Sequence, residues 1–279
     1  MTEKEIRLIG LDLDGTTLTT DKKLTPRTKA VLEECIRQGI TVLAATGRVK
    51  TGIPDYLKNI DGMRYVITSN GASIVDLEKD EVIYQNGIPW ERALELFDIL
   101  EGYDTYYDAY LIGDGWCEGR FYDHLEDYNI KSHIKDLVLT TRQRIDDLPA
   151  FVREHKQPVE KISMFFASQE KRQQVYEELS KIEDIAATYS LSNNIEINYH
   201  TCDKGEALLS LARILGIDEE GTMGCGDGIN DLAMIEKAGI GVAMANGEEI
   251  LKERADFITK TNDEEGVAWA IEKFCKIIV

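Results

Sequence analysis

Ile6-Arg7-Leu8-Ile9-Gly10-Leu11-Asp12-Leu13-Asp14-Gly15-Thr16 is the stretch that decides the fold: an apolar run that stops abruptly in acid and glycine. It is too short and too apolar for a surface helix and fits a strand buried on both faces, as in a parallel sheet. Downstream, Thr25 and Pro26 supply a cap and a first turn, Val31, Leu32, Cys35 and Ile36 recur at helical spacing, and Gly39 supplies a stop. A second apolar run, Ile40 to Ala45, ends at Thr46-Gly47-Arg48, and a third, Tyr65 to Thr68, ends at Ser69-Asn70-Gly71. Strand, helix, strand, helix, strand is the rhythm of a Rossmann-like, doubly wound α/β sheet.

A hairpin is expected next, Ser73 to Asp76 and Glu81 to Tyr84, after which the texture changes. Residues 86–189 are rich in tyrosine, carry longer polar stretches and strand-like pieces such as Lys161 to Ala167, and read as an inserted α+β module. The α/β rhythm then resumes. A helix from Lys204 to Leu215 closes at Gly216, a strand from Thr222 to Cys225 follows, and a helix from Asn230 to Ala238 closes at Gly239. Strands are expected again at Ile240 to Met244 and Ala255 to Thr259. The expected organisation is therefore a core of residues 1–85 and 190–279 interrupted by the 86–189 module.

Composition narrows the class of function. A chain of 279 residues with 43% hydrophobic and 30% charged residues is globular and long enough to bury a core without disulfide staples. Its formal charge of −19 opposes a nucleic-acid surface, which needs clustered Lys and Arg. A small anionic ligand would need a local cation, either a metal or a well-placed lysine. Five cysteines (Cys35, Cys117, Cys202, Cys225, Cys275), an odd number with no C-x-x-C pair, point to free thiols and a reducing, cytoplasmic setting. The charged start Met1 to Glu5 and the lack of a membrane-length apolar run argue against a leader or a membrane span. No feature marks an obligate protein partner.

The polar punctuation carries the chemistry, because Asp12, Asp14, Thr46, Asn70, Asp227 and Asn246 all fall at or just past the carboxyl ends of expected strands. In an open parallel sheet those ends share one edge, where ligands bind. Asp12 and Asp14, at i and i+2 on extended backbone, would point to one side and could divide the work, one ionised as nucleophile and the other protonated as acid. Gly226-Asp227-Gly228-Ile229-Asn230-Asp231 follows an apolar strand and opens a helix, bringing two more carboxylates and Asn230 to that edge. An oxygen-rich set of this kind suits Mg²⁺. Thr46-Gly47-Arg48 adds a hydroxyl and a backbone N–H, and Lys204 adds the required cation. Other chemistries find no match: no cysteine is followed six positions later by arginine, there is no G-x-S-x-G, and the four histidines lack zinc spacing. A dinucleotide fingerprint fails at its third glycine, where Ile229 stands.

Asp12-Leu13-Asp14-Gly15-Thr16, Thr46-Gly47-Arg48, Lys204-Gly205 and Gly226 to Asp231 resemble, in order and approximate spacing, the four motifs of the haloacid dehalogenase superfamily. The insert and the preceding Ser69-Asn70-Gly71-Ala72 resemble its Cof-type sugar-phosphatase branch. The resemblance implies a phosphatase of small phosphorylated metabolites in which Asp12 forms an aspartyl-phosphate and Asp14 acts as acid and then base. It also implies that Thr46 and Asn230 hold phosphoryl oxygens, with Gly47, Arg48 and Asn70 as further binding candidates, while Lys204 neutralises charge. Mg²⁺ would be held by Asp12, the backbone carbonyl of Asp14, and Asp227, with Asp231 direct or one step behind. The insert would be a mobile cap. A phosphomutase or phosphotransferase would use the same residues, and a non-catalytic sugar-phosphate sensor would keep only the pocket.

Overall fold

The computed structural model describes residues 5–58, 60–130 and 132–277, so four of the five starting residues that bear on a leader lie outside the described residues. In chain order the first strands are β1 (Leu8–Leu11), β2 (Thr41–Ala45), β3 (Tyr65–Thr68), β4 (Ser73–Asp76) and β5 (Glu81–Gln85). The next are β6 (Tyr106–Leu111), β7 (Asp114–Glu118), β8 (Arg142–Ile145), β9 (Lys161–Phe165), β10 (Ile185–Thr188) and β11 (Asn194–Tyr199). The chain closes with β12 (Thr222–Gly226), β13 (Ile240–Ala243) and β14 (Phe257–Ile258). The strands form two sheets in two compact units.

The first unit holds the order β14-β13-β12-β1-β2-β3-β4-β5. From β14 to β3 every pairing is parallel, and β4 turns back antiparallel on β3. All four residues of β1 are buried, as its unbroken apolar run requires. Leu8, Leu43, Ala45 and Ile67 pack in one cluster with Ala207, Leu208 and Leu211 of the Lys204–Leu215 helix. That helix begins at Lys204 as expected, capped by Asp203, which accepts the Glu206 N–H at 2.7 Å, and it ends at Gly216 in the left-handed conformation.

The second unit comprises Arg48–Ile53 and Gln85–Cys202. Its sheet runs β10-β11-β9-β6-β7-β8, antiparallel except where β7 meets β8. The helices Trp90–Glu101, Leu148–His155 and Gln169–Leu179 bury Leu96, Phe97, Val152, Val175 and Leu179 in one cluster with Tyr107, Ala109, Ile162 and Ile195 of the strands. Asp108 is buried yet satisfied on one oxygen, which accepts from Tyr106 Oη at 2.6 Å and Arg142 Nε at 2.9 Å.

Three local expectations change. The chain leaves the second unit at Cys202 rather than near residue 190, because β11 pairs with β9 and β10. Between β2 and β3 the described residues form no full crossover helix, but the short helical pieces Lys50–Gly52 and Asp55–Lys58. The helix expected from Asn230 starts with a 3₁₀ turn, Ile229–Asp231, and becomes α-helical only over Leu232–Lys237. Among the described residues no helix is long and apolar enough to cross a membrane.

Candidate active site

Asp12, Thr46 and Asp227 sit where the strands β1, β2 and β12 of the first unit run out. β1 delivers Asp12, but the next residues do not continue as extended backbone. The N–H groups of Thr17 and Leu18 return to the carbonyls of Asp12 and Leu13 at 3.2 and 2.9 Å, so Asp14 is reached through a tight turn. The two acids consequently differ in surroundings. Asp12 is 7% exposed, whereas the Asp14 side chain is 35% exposed and pairs with Lys22 Nζ at 2.9 Å. The turn is strapped from far along the chain: Asn246 Nδ2 donates to Gly15 O and Asn262 Nδ2 to Leu18 O.

Gly15 makes the turn possible. Its φ of +94° disfavours L side chains, and a Cβ there would fall 2.3 Å from Asp227 Oδ2. With no side chain in the way, Thr16 Oγ1 donates to Asp227 Oδ1 at 2.7 Å, joining the first acidic motif to the last.

Lys204, fully buried, sits at the centre. Its Nζ donates to Asp12 Oδ1 and to Asp231 Oδ1, each at 2.6 Å. Gly205 allows this, since a Cβ on it would lie 2.3 Å from Ala233 O, and only a bare backbone lets the Lys204–Leu215 helix approach the one bearing Asp231. Asp231 spends its second oxygen on the N–H groups of Asp227 and Gly228, at 3.1 and 3.0 Å, which is why the helix opens with a tight turn. Oxygens of Asp12, Asp227 and Asp231 all lie within 4.8 Å of one another.

Three carboxylates around one ammonium leave an excess of negative charge in a buried place. Burial pushes the Asp12 carboxyl well above its usual range, the charge of Asp231 adds to this, and Lys204 offsets only part. Asp227 is pushed up to about 6 by burial and then by Asp231. For Lys204 burial works the other way, but Asp12 and Asp231 outweigh it and hold the ammonium above its ordinary value. Oxygen-only donors, close convergence and uncompensated negative charge fit a hard divalent cation such as Mg²⁺.

Thr46 is buried beside β3, its N–H donating to Ile67 O and its carbonyl accepting from Asn70 N–H. Gly47 is the last residue of the first unit before the chain leaves it. Asn70 takes a left-handed conformation, φ 59°, and its Oδ1 accepts from Asn230 Nδ2 at 3.2 Å. Arg48 belongs with the second unit, where its guanidinium donates to Gly52 O at 3.2 Å. The sequence reading missed Thr16, Thr17 and Lys22. The first two were legible in principle as hydroxyls directly following the acidic turn, whereas nothing in the spacing announces Lys22.

A model of haloacid dehalogenase-like hydrolases matches residues 9–271. Among curated proteins the chain is 30% identical over 279 residues to the phosphatase YwpJ of Bacillus subtilis, covering 94% of this chain and 98% of that one. It is 29% identical over 267 residues to the B. subtilis 5-amino-6-(5-phospho-D-ribitylamino)uracil phosphatase YcsE, covering 96% and 95%. Among solved structures, a haloacid dehalogenase-like hydrolase from B. subtilis superposes with a TM-score of 0.82 at 29% identity, covering 98% of this chain and 100% of that one. With its motifs gathered at one sheet edge and the match spanning nearly its whole length, the chain belongs to the haloacid dehalogenase-like hydrolases.

Proposed function

We propose that the protein is a Mg²⁺-dependent phosphatase of small phosphate monoesters, sugar phosphates or similar metabolites, acting through an aspartyl-phosphate on Asp12. The observation that carries this reading is the convergence of Asp12, Asp227 and Asp231, drawn from opposite ends of the chain, around the buried Lys204. The phosphatase names of its relatives support it. The five cysteines are free, in keeping with a cytoplasmic setting.

Uncatalysed hydrolysis of phosphate monoesters is so slow that an enzyme must supply on the order of 20 kcal/mol of transition-state stabilisation, most of it from positioning and charge. Lys204 fixes Asp12 Oδ1 and leaves Oδ2 to attack phosphorus. Asp14, partly exposed and able to trade protons with solvent, protonates the leaving oxygen and then deprotonates the water that attacks the phosphorylated Asp12. Thr46 and Asn230, with the Gly47 N–H, hold the phosphoryl oxygens, and Asn70 orients Asn230. Asp12, Asp227 and the Asp14 carbonyl would hold the cation, while Asp231, its oxygens engaged by Lys204 and two backbone amides, supports them from behind. When bound, Mg²⁺ supplies the positive charge that keeps the carboxylates ionised and offsets charge on the transferring group. The second unit is the module assigned to selecting the leaving group, with Arg48 among its residues.

A phosphate-release panel of sugar phosphates, nucleotides and cofactor phosphates, with and without EDTA, tests the reading. Release that EDTA abolishes is the expected result. Release indifferent to EDTA overturns the metal, ligand binding without release favours a sensor, and bisphosphate-activated isomerisation favours a mutase.

A further inference from the structure

The turn after the acidic motif holds a residue that its geometry does not favour. Thr19 N–H donates to Lys23 O at 3.0 Å and Lys22 N–H to Thr19 O at 2.8 Å, closing the loop Thr20-Asp21-Lys22. The last residue of such a loop takes the left-handed conformation, which glycine adopts without steric cost. Here that residue is Lys22, at φ 60°. Its backbone is held from outside the loop: Tyr56 Oη donates to Lys22 O at 3.2 Å, and Asp263 accepts from both the N–H and the hydroxyl of Thr20 at 2.8 Å. A lysine kept in so sparsely populated a conformation directs attention to what its side chain touches.

Lys22 Nζ pairs with Asp14 Oδ1 at 2.9 Å, whereas the neighbouring Lys23 is 77% exposed and lies 4.0 Å from Asp21. The Lys22 and Asp14 side chains are 48% and 35% exposed, and an ion pair so open to water contributes little to stability. Its consequence is local. The ammonium fixes the plane of a carboxyl group that stands on a turn, much as Lys204 fixes Asp12.

We propose that Lys22 is a positioning residue for proton transfer, holding Asp14 in the orientation from which it protonates the leaving oxygen. The inference rests on the phosphatase reading and deepens it. In that step Asp12 forms a bond to phosphorus, the bond to the leaving oxygen breaks with its electron pair on oxygen, and the Asp14 proton moves to that oxygen. Lys22 gives up no proton; it removes the rotational search that Asp14 would otherwise make. The benefit grows with the basicity of the leaving oxygen. A sugar alkoxide needs the proton as it departs, and p-nitrophenolate does not.

The test compares kcat/KM, which reports the steps up to departure of the leaving group, for two esters. One is p-nitrophenyl phosphate, and the other is glucose 6-phosphate or, if faster, ribose 5-phosphate. Lys22→Met should lower kcat/KM about tenfold for the sugar phosphate and less than about twofold for the aryl ester, a fraction of the full effect of a general acid. Lys22→Arg should restore most of the loss. Lys22→Gly gives the turn its preferred residue, so it should show the same selective loss with a Tm equal to or above that of the wild type. In an Asp14→Asn background, Lys22→Met should cost nothing more. Equal losses on both esters, a Tm that falls together with activity in Lys22→Gly, or no rescue by arginine overturns the proposal. So does a Lys22→Met variant as active as the wild type on both esters, a result that leaves the phosphatase reading standing. Failure of the wild type to release phosphate from either ester overturns that reading, and the proposal with it.

Discussion

Asp12 and Asp14 stand two positions apart and live in different media. The first is buried against Lys204 and two other acids, and the second is a third exposed beside Lys22. This contrast allows two identical side chains to take the roles of nucleophile and proton carrier. Asp12→Asn should lower turnover by a factor of about 10⁴ or more while keeping the fold. Circular dichroism and phosphate release together check this, and wild-type turnover in that variant removes Asp12 from the mechanism. Lys204→Met should lower turnover, because Asp12 loses the group that holds its Oδ1, and should also lower stability. It leaves Asp12 and Asp231 buried without their cation, a loss of about 3–5 kcal/mol for a broken buried pair, measurable by urea denaturation.

At the scale of the element, the site depends on how closely two helices approach. Gly205 lies where a Cβ would run into Ala233 O, so Gly205→Ala should push the Lys204–Leu215 helix away from Asp231. The expected effect is about 1–3 kcal/mol of stability, the usual range for overpacking, together with reduced turnover because Lys204 moves with its helix. A variant as stable and active as the wild type would mean that the close approach does not matter. The same elements show what could be read in advance. β1 and β12 were legible because buried parallel strands are continuous apolar runs that end in glycine and acid, and the Lys204–Leu215 helix because Gly216 marks its end. The 3₁₀ turn at Ile229–Asp231 was not legible, because it arises from Asp231 binding the amides of Asp227 and Gly228 and the distant Lys204. Nor was the grouping of Arg48 with the second unit, since a T-G-R turn gives no hint that the chain changes units between its glycine and its arginine. The exit near Cys202 was hidden for a similar reason: β11 looks like any strand, and only its register against β9 assigns it.

For the whole molecule, a charge of −19 and a buried acidic cluster make stability depend on pH and on cations together. Asp227 binds its proton more tightly when folded, at about 6 against roughly 3.9 for a free aspartate. Between those values the folded state carries more protons than the unfolded one, so without metal this group lowers stability as pH rises through that window, and the loss persists above it. Asp12 acts in the same direction. Mg²⁺ should therefore raise Tm more at pH 7.5 than at pH 5, since at the lower pH it must displace protons to bind. At a hundredfold excess over Kd, binding adds roughly 2.7 kcal/mol. Calorimetric scans in Mg²⁺ and in EDTA at the two pH values check this, and equal shifts at both would mean that the carboxylates are not the ligands. The most direct measurement is chemical trapping of the enzyme during turnover. Acid quenching followed by borohydride reduction converts an acyl phosphate to an alcohol. Peptide mass should then show homoserine at position 12, formed only with substrate and Mg²⁺ together. Steady phosphate release with an unmodified Asp12, or with homoserine at another position, would contradict the assignment of that carboxylate as nucleophile.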